Sequence, residues 1–153
     1  MNSLDTRFTI QGFSLIEVLI ALFVLSIGLL GLAALQTTAF KFNHQSYERT
    51  QATIQAYDML DRIRANSAGK NAGLYDTVSS GYIVPSYRNC MALTCTTTQM
   101  AEYDISEWNT ANASLLAEGA GQIATNAGTS IRTITIQWKE ADLAATLVVE
   151  AQL

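Results

Sequence analysis

From Phe13 to Leu35 the chain reads FSLIEVLIALFVLSIGLLGLAAL, 23 residues with one charge. As a helix this run measures about 35 Å at 1.5 Å per residue, enough to cross a hydrocarbon layer of about 30 Å. Fifteen of its residues are Leu, Ile, Val or Phe, which favours insertion by roughly 5 to 9 kcal/mol. Glu17 cannot cancel that sum, since a carboxylate at mid-bilayer costs about 2.5 to 3.5 kcal/mol and less near the interface. The run therefore needs lipid or other chains around it. It also explains a composition that is 49% hydrophobic and only 14% charged, against about 25% charged in an ordinary soluble domain.

A cleaved secretory signal is the competing reading. The run is longer than an h-region of about 7 to 15 residues, and the segment before it, MNSLDTRFTIQG, balances Asp5 against Arg7. Only a loose small-residue match, Gly31 and Ala33, takes the place of a cleavage site. Arg7 precedes the run while Lys41 and Arg49 follow it, so charge bias alone does not place the amino end in the cytoplasm. Gly28 and Gly31 are three apart, not the four of the membrane dimer motif. A net charge of −4 argues against direct nucleic-acid binding. Cys90 and Cys95 are too few for a disulfide scaffold, and a single histidine, His44, leaves them without zinc partners.

Gly12-Phe13-Ser14-Leu15-Ile16-Glu17 resembles the processing site of type IV pilins and pseudopilins. In that family a hydrophilic leader ends in glycine, a membrane-embedded aspartyl prepilin peptidase cuts after it, and the new amino terminus is N-methylated. The resemblance implies a leader over residues 1–12, cleavage between Gly12 and Phe13, and methylation of Phe13. It also places Glu17 as the fifth mature residue, with a role in assembly. A carboxylate among packed apolar helices is tolerable mainly beside a positive partner, which the new Phe13 amine of a neighbouring subunit would supply. The bland alternative is that Glu17 simply reaches interfacial water.

Past Leu35 no glycine or proline occurs until Gly69, and Tyr47, Ile54, Tyr57, Leu60 and Ile63 recur near helical spacing, predicting an amphipathic continuation. Arg49, Asp58, Asp61, Arg62 and Arg64 fall on its polar face. The helix should end between Asn66 and Gly69, where S-A-G-K-N-A-G supplies cap and loop residues. A weak strand candidate covers Tyr82 to Tyr87, where Pro85 permits only an edge position. Thr96 to Gln99 offers a capping-box start for a second helix over 97–116 along Ala101, Ile105, Trp108 and Leu115, with glycines 119, 121 and 128 breaking it. Ile134, Ile136 and Trp138 alternate, K-E-A-D turns the chain, and Leu147, Val149, Ala151 and Leu153 alternate again, predicting an antiparallel hairpin. The expected fold is α+β and pilin-like: a long amino-terminal helix against a small antiparallel sheet with an extra short helix.

Within the superfamily, Asn89-Cys90-Met91, Cys95-Thr96, Gln99-Met100-Ala101, Tyr103-Asp104, Trp108, Gly119 to Gly121 and the Ile134 to Trp138 strand together resemble the PilV-type minor pilins. The resemblance implies a structural subunit that helps start type IV pilus assembly near the tip. Its partners would be the prepilin peptidase, other minor pilins, the major pilin and a tip adhesin, with no cofactor and no direct nucleic acid. Residues 13–35 would anchor it in the inner membrane and residues 36–153 would form a periplasmic head. There the oxidising compartment would join Cys90 to Cys95; two free thiols are the alternative. A minor pseudopilin of a type II secretion system is the second reading. Catalysis is not expected. His44 sits on the helix near the membrane, Asp104 and Glu107 could pair as carboxylates but read equally as surface residues, and no G-x-S-x-G motif occurs.

Overall fold

A computed structural model describes residues 12–126, 128–140 and 143–153. Helix α1 spans Leu15–Ala65, 51 residues, as the absence of breakers between Leu35 and Gly69 predicts. The expected leader over residues 1–12 lies outside the described residues apart from Gly12. Two compact units divide the chain after Phe42.

In the first unit α1 buries nothing: its best 18-residue window has a mean hydropathy of 2.8 and none of it is covered. A core helix of a soluble protein would be largely covered by its own domain. Ser26 Oγ donates to the Leu22 carbonyl at 2.7 Å, and Thr37 and Thr38 donate to the Ala34 carbonyl. These hydroxyls are thus satisfied inside the helix, as an apolar surrounding requires.

The second unit is built around the rest of α1. Asn66 ends that helix and caps a short one, α2 (Ser67–Asn71), its Oδ1 accepting from the Gly69 N–H at 3.1 Å. The segment expected to be cap and loop therefore holds one more helical turn. Strand β1 is only Thr77–Val78. Helix α3 covers Thr97–Leu115 behind the predicted capping box: Thr96 Oγ1 accepts from the Gln99 N–H, and Gln99 Oε1 accepts from the Thr96 N–H. Strands β2 (Ala120–Asn126), β3 (Ile131–Glu140) and β4 (Leu143–Gln152) complete an antiparallel sheet in the order β1-β2-β3-β4. The predicted hairpin is β3–β4, with Ile134 opposite Val149 and Ile136 opposite Leu147. Lys139 and Glu140 still belong to β3, and the remaining turn residues, Ala141 and Asp142, lie outside the described residues.

Three expectations need correction. The stripe of α1 that is buried runs through Ala52, Ala56, Met59, Leu60 and Ile63, whereas Tyr47, Ile54 and Tyr57 are each more than half exposed. The reason is close approach: Trp108 of α3 donates its indole N–H to the Gln55 carbonyl at 2.9 Å, and only side chains as small as Ala52 and Ala56 leave room for a ring to reach helix backbone. No strand forms over 82–87. Side chains of α3 take up that backbone instead, Ser106 Oγ accepting from the Val84 N–H and Asn109 Nδ2 donating to the Tyr82 carbonyl. On α3 itself Ala101, Ile105 and Trp108 are buried as predicted, but Leu115 is exposed and Leu116, just past the helix, is buried in its place.

Candidate functional site

The residues singled out for function gather at the start of α1. Phe13 and Ser14 precede the first turn, and the Ser14 carbonyl accepts from the Glu17 and Val18 N–H groups at 3.1 and 3.3 Å. Glu17 is the acidic residue of that turn, where the unpaired N–H groups of the helix favour negative charge. Phe13 is 86% exposed, and every large apolar side chain from Leu15 to Leu35 is at least half exposed. No ion pair among the described residues involves Glu17. Gly12 has nothing within 4 Å of the position a Cβ would take.

Other candidates are separated. Asp104 and Glu107 do not form a carboxylate pair. Glu107 Oε1 accepts from Tyr87 Oη at 2.7 Å, while Asp104 Oδ2 accepts from Tyr75 Oη at 2.7 Å. His44 is exposed, with Nδ1 3.5 Å from Glu48 Oε1. Cys90 and Cys95 form a disulfide, closing a loop just before the cap of α3. No group of three or more His, Cys, Asp or Glu residues able to hold a metal occurs among the described residues.

Comparison with known families gives two matches along the chain. Residues 7–33 match the prokaryotic N-terminal methylation motif, and residues 34–106 match the type IV pilin Tt1218 family. The two matches adjoin, running without a gap from residue 7 to residue 106. Over these two stretches the chain is similar to the type IV pilin superfamily. No curated protein and no solved structure matches it. For a pilin the architecture is the expected one, a long apolar helix followed by a four-stranded antiparallel head, and the superfamily is one of structural rather than catalytic proteins.

Sequence reasoning missed the polar network that ties the head to α1. Asn66 Nδ2 donates to Tyr75 Oη at 2.9 Å, and Arg62, held by Asp58 at 2.7 Å, reaches Asp104 Oδ1 at 3.4 Å. Tyr75 is fully buried and Asp104 nearly so; Tyr75 sits in no helical or alternating pattern, and Asp104, although at helical spacing with Ala101, Ile105 and Trp108, reads by its charge as a surface residue. Burial pushes the Asp104 carboxyl above its ordinary value of 3.8, although the Tyr75 hydrogen bond and the Arg62 charge pull the other way. Burial and the bond to Asp104 likewise raise the Tyr75 phenol.

A raised carboxyl means that the fold binds the Asp104 proton more tightly than the unfolded chain does. This contribution to stability is full below the ordinary value and is lost as pH rises through the folded one. Asp104→Asn keeps an oxygen for Tyr75 Oη and removes the desolvated charge. It is expected to flatten that decline and to melt no lower than the parent at pH 7. Asp104→Ala, which leaves the buried Tyr75 O–H without its acceptor, should lose about 1–3 kcal/mol. Thermal melts between pH 3 and 7 check this, and an Asn variant with the parent's slope and a lower Tm would contradict it.

Proposed function

We propose that this chain is a minor pilin of a type IV pilus, a non-enzymatic subunit of the complex that starts assembly and sits at or near the fibre tip. The observation that carries the reading is the uncovered apolar half of α1 with its single carboxylate, Glu17, placed directly after a Gly12-Phe13 junction. Prepilin peptidase cuts between Gly12 and Phe13 and the Phe13 amine is methylated. Cleavage there does not release the protein, because residues 13–35 stay attached as the anchor. The head over residues 36–153 lies in the periplasm, consistent with the Cys90–Cys95 disulfide, and the subunit then enters the fibre.

In assembly the anchor exchanges lipid for the apolar helices of its neighbours, which include the major pilin and other minor pilins. Glu17 meets the Phe13 amine of an adjacent subunit, so that neither charge is left bare in an apolar core. The PilV-type pattern from Asn89 to Trp138 supports the minor-pilin assignment over a pseudopilin of type II secretion, and such a subunit would help support a tip adhesin.

Amino-terminal sequencing of protein from sheared fibres and from membranes tests processing and destination together. The expected fibre sequence begins at a methylated Phe13. Intact Met1 in membranes of cells with an active peptidase, or absence from every fibre preparation, would overturn the proposal.

A further inference from the structure

The head holds a polar cavity of about 300 Å³ between the end of α2 and the β2–β3 turn, whose lining includes Lys70, Asn71, Asp76, Asn126, Ser130 and Arg132. Two of the nine basic residues of a chain with net charge −4 meet there. Arg132 is 94% buried by its 6% exposure, with Nη2 held by Asp76 Oδ1 at 2.7 Å and the Lys70 carbonyl at 3.3 Å. Its Nε–H is sealed from solvent and has no hydrogen-bond partner among the described residues. Lys70 pairs with no carboxylate among those residues. A guanidinium so fixed is preorganised; Asp76 offsets its charge, and the Lys70 ammonium leaves the lining with one net positive charge.

We propose that this cavity binds an acidic monosaccharide unit, a ring carrying one carboxylate beside several hydroxyls. The carboxylate would lie with Lys70 and Arg132, where charge-assisted hydrogen bonds are strongest. The remaining lining matches hydroxyls. Asp76 Oδ1 is occupied by Arg132 and Thr125, which leaves Oδ2 to accept. Asn126 Oδ1 is occupied by the Gly128 N–H at 3.0 Å, which leaves its amide N–H₂ to donate, and the Asn71 amide and Ser130 hydroxyl can do either. A phosphate dianion carries more negative charge than a monocarboxylate and is repelled more strongly by Asp76. A neutral sugar leaves the Lys70 charge without a partner.

The test uses the full-length protein in detergent micelles, titrated separately with D-glucuronate, D-glucose and inorganic phosphate, and followed by amide chemical shifts. D-Glucuronate should bind saturably with a Kd of about 1 mM, the strength expected for a ligand of its size. Shifts should centre on Lys70, Asn126 and Arg132. Lys70→Gln should weaken binding about tenfold. Ser130 holds a left-handed φ of 54°, so Ser130→Gly relieves strain while removing the hydroxyl; it should also weaken binding, and that loss cannot come from unfolding. No saturable D-glucuronate binding, equal binding of D-glucose or phosphate, or full affinity in both variants would each overturn the proposal.

Discussion

Glu17→Leu is expected to reach the membrane in normal amount and to be missing from fibres. Replacing a carboxylate with leucine at the edge of the apolar run favours insertion by about 3 kcal/mol or less, so anchoring cannot suffer. What the substitution removes is the only side-chain charge between Phe13 and Leu35. If that charge meets a neighbour's Phe13 amine during assembly, the variant leaves the amine unpaired among apolar helices, at a cost of about 3–5 kcal/mol. At 1.4 kcal/mol per decade, incorporation should fall by at least about a hundredfold. Immunoblots of sheared fibres against membrane fractions provide the measurement. Normal incorporation would show that Glu17 reaches interfacial water without a partner.

Gly121→Ala should be among the most damaging single methyls in the head. Its new Cβ would overlap the six-membered ring of Trp108, and that ring is fully buried. The indole cannot withdraw without breaking its bond to the Gln55 carbonyl, and Gly121 cannot shift without losing the bond from its own N–H to Asn109 Oδ1 at 2.8 Å. Overpacking of this kind costs about 1–3 kcal/mol, a fall in Tm of several degrees. Gly28→Ala is the control, since nothing lies within 4 Å of its Cβ position. Equal Tm values for the two variants would mean that Trp108 has freedom the packing denies it.

Gly121 also shows why β2 could not be read from the chain. Ala120–Asn126 offers Ile123 as its one large apolar residue, and its glycine looks like a helix breaker when the ring that demands it is 13 positions away in α3. By contrast α3 announced itself through local chemistry, Thr96 and Gln99 closing their capping box within one turn. The β3–β4 hairpin did so through strict alternation across the Ile134–Val149 and Ile136–Leu147 pairs. On α1 the large residues Tyr47, Ile54 and Tyr57 suggested a buried stripe, yet close packing selected Ala52 and Ala56, which periodicity of large side chains cannot reveal. The start of the candidate site, Gly12 to Glu17, was legible because its residues are contiguous. The Tyr75–Asp104–Arg62 network was not, because its members are brought together only by the finished fold.

Strand order has a last consequence for how the molecule comes into being. Among the described strands β4 pairs with β3 alone, and its ten residues carry a single charge, Glu150, so one margin of the sheet could recruit a stray extended segment. That margin belongs to the strand translated after the other three. Its natural mate, β3, has therefore already left the ribosome when β4 follows, and the interval in which both faces of the ladder stand open is as short as the order of synthesis allows.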